Sequence, residues 1–229
     1  MAKFKGFNSS TFKFLSELEK NNNRPWFAEN KHRYENVVLD PSLDFIVDMA
    51  PQLEKLSADI EAVPKRVGGS LMRVYRDTRF GKDKTPYKTN IGIHFRHRMG
   101  KDVHCPAFHC HISNTDVFLG AGIWRPNSKT LAAIRRRIDQ EPKQWIKVRD
   151  NRQLNKIYSL SGDCLKRNPR GFSLDHPLIE DLKRKDFIAI CHLHRDEVKH
   201  PAFIKRAAAI YKAANPLMEF LCKAIEVPY

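Results

Sequence analysis

The chain is 229 residues long and carries 41 Lys and Arg against 26 Asp and Glu, a formal net charge of +15. Hydrophobic residues make up 41% and charged residues 29%, which describes a folded chain with a sizeable core and excludes a disordered one. No apolar run approaches the roughly 18 residues of a membrane-spanning helix, and the opening MAKFKGFNSS lacks the apolar stretch of a secretory signal, so a cytoplasmic protein with no membrane partner is expected.

Along the chain, Asn8, Ser9 and Ser10 offer capping side chains, and Phe12, Leu15 and Leu18, with Phe14 beside them, follow at helical spacing. Asn21-Asn22-Asn23 ends that helix. Pro25 suits the first position of the next, which carries Trp26, Phe27, Tyr34 and Val37/Val38. Asp40-Pro41 is expected to start a third helix that Pro51 kinks or splits. The period then changes. Leu71–Arg76, Ile91–Arg98, Phe108–Ser113, Val117–Trp124 and later Phe187–His194 are short, rich in β-formers and largely alternating. Asn114-Thr115 predicts a tight hairpin, Gly100 sits in another connection, and consecutive strands with short links favour antiparallel pairing. Helices return from Ser128, where Leu131, Ile134 and Ile138 share a face and Arg135, Arg136 and Arg137 are expected to point mostly to water. Pro177 and Pro201 mark further helix starts, and Asn215-Pro216 breaks the last helical stretch.

Helices, then strands, then helices give an α+β class. The expected architecture is a single domain over 1–229, with a largely antiparallel central sheet and helices packed at the N- and C-terminal parts. It is helical over 8–60, sheet-forming over 70–125, and mixed helical with one more strand over 126–229. Cys105, Cys110, Cys164, Cys191 and Cys222 are odd in number, irregularly spaced and without CxxC, which reads as buried thiols in a reducing compartment.

The positive charge is uneven. Residues 1–65 hold nine basic against ten acidic side chains, residues 73–101 nine against two, and residues 125–152 nine against three. Clustered cations attract phosphates, nucleic acid or acidic partners, although a solubilising surface has the same composition.

The densest stretch is RDTRFGKDKTPYKTN, residues 76–90, which Gly81 and Pro86 mark as a loop between strands. Arg76, Arg79, Lys82, Lys84 and Lys88 can offer guanidinium forks and ammonium groups to a phosphate or carboxylate. Asp77 and Asp83 would aim those cations or act as acid/base groups, and Tyr87 would stack or donate a hydrogen bond. The alternative is structural. Ion pairs Arg76–Asp77 and Arg79–Asp83 would pin the loop, with Phe80 and Tyr87 as anchors. In the functional reading Asn22 or Arg24 stands at the rim of the loop. The P-loop pattern GxxxxGK[ST] is missing, as are GxSxG, HExxH and GxGxxG.

Strand alternation adds a second cluster. His94 and Arg96 share one side of their strand, His109 and His111 one side of theirs. In a common sheet these four line one polar face, which Arg73 or Tyr75 can join. No carboxylate is spaced to complete a metal set, so no metal site is assigned; His109 and His111 are the weak candidates. No cofactor is assigned.

Residues 76–89 resemble the signature R-D-x-R-F-x-K-D-K-T-P-Y-K-T of an uncharacterised, mainly bacterial and fungal family. Asn21 to Phe27, Gly120-Ala121-Gly122-Ile123-Trp124-Arg125-Pro126 and Pro169-Arg170-Gly171-Phe172 extend the resemblance over nearly the whole chain. It implies a fold family and no activity. Three functions stay open. The favoured one is a binder of, or enzyme on, a phosphorylated or carboxylated small molecule, using loop 76–90 with Arg73, His94 and Arg96. The others are a nucleic-acid module built from basic blocks 73–101 and 125–152, and an interaction protein for an acidic partner. The sequence shows no evident exposed aromatic platform, and it sets neither a reaction nor an oligomeric state.

Overall fold

The computed structural model describes residues 4–79, 81–100 and 104–229. Phe80, expected as a loop anchor, and Lys101, the last residue of the first basic block, lie outside them.

The N-terminal helices form for the reasons legible in their sequence. Helix α1 (Ser9–Lys20) is capped by Asn8, whose side chain accepts the Ser10 and Thr11 N–H groups. Helix α2 (Arg24–Glu29) is capped by Asn23, and Pro25 sits in its first turn. Asp40-Pro41 does not start a separate helix. The short α3 (Lys31–Tyr34) runs through a π-helical turn, Glu35–Leu39, straight into α4 (Asp40–Glu54). Pro41 has no N–H for the carbonyl of Val37, four residues back. The buried Thr11 hydroxyl donates to that carbonyl instead, at 2.7 Å, and so ties α1 to the proline turn. Nor does Pro51 split α4, because it falls in the last turn, where a missing donor costs a single hydrogen bond.

Six strands make one antiparallel sheet in the order β1-β2-β3-β4-β6-β5. They are β1 (Ile60–Glu61), β2 (Ile91–His97), β3 (Ala107–Ile112), β4 (Val117–Ile123), β5 (Ser159–Ser161) and β6 (Phe187–His192). The class is α+β as expected, with three differences in the strands. Ile60–Glu61, at the end of the stretch expected to be helical, forms the edge strand β1 beside β2. Residues 126–229 supply two strands where one was expected, since β5 is too short to show a period. Leu71–Arg76 is no regular strand; it meets the β2 side of the sheet through isolated bridges, Leu71 to Ile93 and Tyr75 to Tyr87.

The C-terminal half adds α5 (Ser128–Gln140), α6 (Pro142–Arg149), α7 (Arg152–Ile157), α8 (Ile179–Leu182), α9 (Phe203–Ala213) and α10 (Asn215–Ala224). Arg136 is exposed, but its neighbours do not simply face water. Arg135 donates to the carbonyls of Leu182 and Arg184, and Arg137 lies over the Phe220 ring and pairs with Glu141. Arg137 thus packs where the helix meets α10, as long amphipathic side chains do, while Arg135 closes on the end of α8.

Helices cover one face of the sheet. Phe45 of α4 packs on Phe95, Tyr211 of α9 stacks on Phe108 at 4.5 Å, and Trp145 of α6 meets Phe187 edge-on. In register these are one face, since Phe95 pairs with Phe108, Phe108 with Ala121 and Ala121 with Ala189. Burial of that face, together with Phe4, Phe7 and Phe203, makes one continuous core. Among the described residues no helix is long and apolar enough to cross a membrane.

Candidate functional site

The basic stretch is a hairpin closed by the Tyr75–Tyr87 bridge, with Arg76 N–H donating to Pro86 O and Lys88 N–H to Val74 O. Tyr87 anchors it. Its ring is buried and stacks on Phe27, centroids 4.0 Å apart. Asn22 holds its backbone from both sides, donating to Tyr87 O at 2.9 Å and accepting Tyr87 N–H at 3.0 Å. The turn before α2 therefore sits at the foot of the hairpin. Asn22→Ala is expected to cost about 2 kcal/mol in urea unfolding, because it strands a part-buried N–H and C=O together.

The loop cations are engaged locally. Arg79 grips Asp77 with two hydrogen bonds, at 3.0 and 2.8 Å. Arg76 pairs with Asp83 and also donates to the Thr85 hydroxyl at 2.8 Å. Lys84 donates to Thr78 O at 2.8 Å. The pairing is crossed relative to the expected Arg76–Asp77 and Arg79–Asp83, because closing the hairpin brings residue 76 opposite residues 83–86. Arg79 holds the Asp77 carboxyl well below the usual carboxylate range, and the Thr85 N–H and hydroxyl, with Arg76, do the same for Asp83. Both aspartates are exposed acceptors that stay ionised. Lys82 is exposed at the hairpin tip. The cavity under the hairpin, lined by Phe14, Leu18, Tyr34 and Ile91 with Lys88 at its edge, measures about 10 Å³. That is room for a single water at most.

The sheet face turned away from those helices is more informative. His94 of β2 pairs in register with His109 of β3, which pairs with Gly120 of β4 and then Ile190 of β6. The adjoining row runs Gly92, His111, Phe118, His192, and the row on the other side Arg96, Ala107, Gly122, Ile188. The rings touch one another. His94 and His109 lie 5.7 Å apart, His109 and Phe118 5.9 Å, and His111 stacks parallel on Phe118 at 4.7 Å.

These imidazoles are neutral at physiological pH. Burial and the neighbouring Arg96 push His94 down to about 4. Burial, followed by His94, His111 and Lys88, pushes His109 down to about 3, and burial lowers His111. Positive charge at this face comes from Arg96, from Lys88 and from the exposed Arg73 near it. The Lys88 ammonium is itself lowered by burial and then by Arg73, two cations pressing on each other. His94 Nε2 and Arg96 Nε are both buried, and neither has a hydrogen-bond partner among the described residues. Glu61 stands across from Arg96 in the strand register, and Asp116 pairs with His192 at 3.0 Å. Among the described residues no three His, Cys, Asp or Glu side chains converge as a metal-binding group.

The structure thus brings His94, Arg96, His109 and His111 onto one face with Lys88 beside them, and sets Arg76, Arg79, Lys82 and Lys84 apart in the hairpin. The model of a family described as Conserved hypothetical protein (DUF2461) matches residues 10–220. The chain belongs to this family. No curated protein and no solved structure matches it.

In this DUF2461 chain the sequence reasoning missed Phe118, His192 and Gly120 as members of the face. Phe118 and His111 flank the Asn114-Thr115 hairpin, so their pairing was readable once the turn was set. His192 was not, because β6 joins β4 only in the folded chain. Trp124 is 53% exposed just beyond β4, with the Arg125 guanidinium over its ring at 4.5 Å.

Proposed function

We propose that this protein binds a phosphorylated or carboxylated ligand on the sheet face turned away from the helices, where Arg96 borders His94 and Lys88 borders His109. One observation carries the reading: His94 Nε2 and Arg96 Nε, two residues apart on the same side of β2, are buried without a partner among the described residues. Leaving a buried polar atom unpaired costs about 1–3 kcal/mol, so such pairs persist where a polar guest or ordered water completes them. A guanidinium suits an oxyanion, and an anion there would also relieve the crowding of Lys88 by Arg73.

The hairpin supports this role from outside. Its cations add to the field that draws an anion to the face, while their own hydrogen bonds hold the loop in shape. Inorganic phosphate is expected to raise the melting temperature of the wild-type protein by selective binding to the folded state. That rise should vanish in Arg96→Gln and Lys88→Met and survive in Arg79→Gln. A rise lost in Arg79→Gln and kept in Arg96→Gln would put the anion in the hairpin instead, and no rise in the wild type would remove the reading.

A further inference from the structure

We infer that a cleft in the helical layer, between α7 and α9, binds a small organic carboxylate with an apolar body. The site is separate from the sheet face and does not depend on the anion reading above.

The cleft measures about 420 Å³. Sites of roughly 300–1,000 Å³ hold small molecules, whereas the space under the hairpin holds a single water. The sequence of the two helices accounts for the opening. Leu154 of α7 and Ile210 of α9 are fully buried and fix both helices to the core. Ala209 and Ala213, one turn apart on α9, leave the surface beside α7 without bulk. Ile157 and Pro216 complete the apolar wall.

The polar lining selects the ligand. Lys156 of α7 and Lys212 of α9 border the cleft and are exposed. Neither ammonium has an ion pair or a hydrogen-bond partner among the described residues, and no carboxylate lines the cleft. Asn215, at the start of α10, is oriented by Tyr229, whose hydroxyl donates to its side-chain oxygen at 2.8 Å. That leaves the Asn215 NH2 as a donor for an incoming acceptor, and Gln153 brings a second amide. A carboxylate accepts from ammonium and amide groups alike, while a hydrocarbon body attached to it would cover the alanines. A basic rim alone would suit any anion, and an apolar wall alone any greasy solute. A second copy of the chain docked here about a two-fold axis would bring its own lysines against these.

The test is titration of the isotope-labelled protein with naphthoate, read from backbone amide shifts. Saturable shifts are expected, clustered at Lys156, Ile157, Ala209 and Ala213. Ala209→Leu fills the cleft from an exposed helical position. It should weaken binding roughly tenfold without lowering the melting temperature, because leucine is a good helix former. The double variant Lys156→Gln/Lys212→Gln should bind roughly fivefold weaker, and the neutral naphthamide should lose a similar factor against the wild type. Inorganic phosphate, which has no apolar body, should leave these amides unmoved, and Arg96→Gln should bind naphthoate as the wild type does. Shifts that scatter over the surface or never saturate overturn the inference. So does wild-type affinity in Ala209→Leu or in the lysine double variant. Phosphate moving the same amides would overturn the ligand class, and their movement on raising protein concentration alone would assign the cleft to a second copy. Loss of naphthoate binding in Arg96→Gln would place the ligand on the sheet face and not in the cleft.

Discussion

Gly122→Ala is expected to destabilise the protein by about 3 kcal/mol or more, or to prevent folding, while Gly120→Ala two residues away changes stability by less than about 1 kcal/mol. Gly122 has φ +120° and its virtual Cβ would fall 2.0 Å from Phe187 O. An alanine there must both adopt a backbone conformation that L-residues avoid and push apart the β4–β6 pair. Separating those strands also loosens Ile123 and Phe187, which are buried in the core beneath. Gly120 has neither constraint, and alanine reduces the entropy its unfolded chain loses. Urea unfolding of the two variants at neutral pH checks the contrast. Equal midpoints would mean that the β4–β6 pair can yield at Gly122 without cost.

Acid is expected to unfold the protein between about pH 6.5 and 4, a window set by His94 and His109. Both have folded-state pKa values pushed well below the ordinary 6.5, to about 4 and about 3. Below 6.5 the unfolded chain takes up protons that the folded one refuses, so stability is greatest above that value and falls as pH drops toward the folded pKa values. The two groups together amount to on the order of 5 kcal/mol, comparable to the whole stability of many domains. Arg96 faces His94, and His94, His111 and Lys88 face His109, so each proton added raises the cost of the next. The lowered aspartates, Asp77, Asp83, Asp150 and Asp196, act in the same direction only below about pH 4, where the unfolded chain's carboxylates protonate before the folded ones. Stability measured by urea titration at successive pH values should therefore fall steeply above pH 4 in the wild type. The slope should be shallow over that range in the double variant His94→Gln/His109→Gln. An unchanged slope in the double variant would place the acid sensitivity elsewhere.

The hairpin shows where reading the sequence stops. Its charges identified it as a loop, and the Arg-Asp pattern announced ion pairs, but the partners were crossed. Arg76 reaches Asp83 only because Tyr75 and Tyr87 close the hairpin, and Tyr87 is held by Phe27 and Asn22, far away in the chain. The same holds at Pro41. A proline after aspartate looks like a helix start, and it is one residue of a continuous helix because Thr11 takes up the carbonyl it leaves unserved.

The features legible without coordinates are local ones. Side chains alternate along any extended strand, so His94 with Arg96, and His109 with His111, had to share a side of their strands once those segments were β. Capping by Asn8, Asn23 and Asn127 followed in the same way from side chains next to the backbone they serve. It takes the folded chain to establish that the helices cover the opposite face, that β6 lies beside β4 and adds His192 and Ile190 to the rows, and that a Cβ would clash at Gly122 but not at Gly120. Those outcomes depend on burial and on pairing between segments more than sixty residues apart, which no short-range pattern encodes.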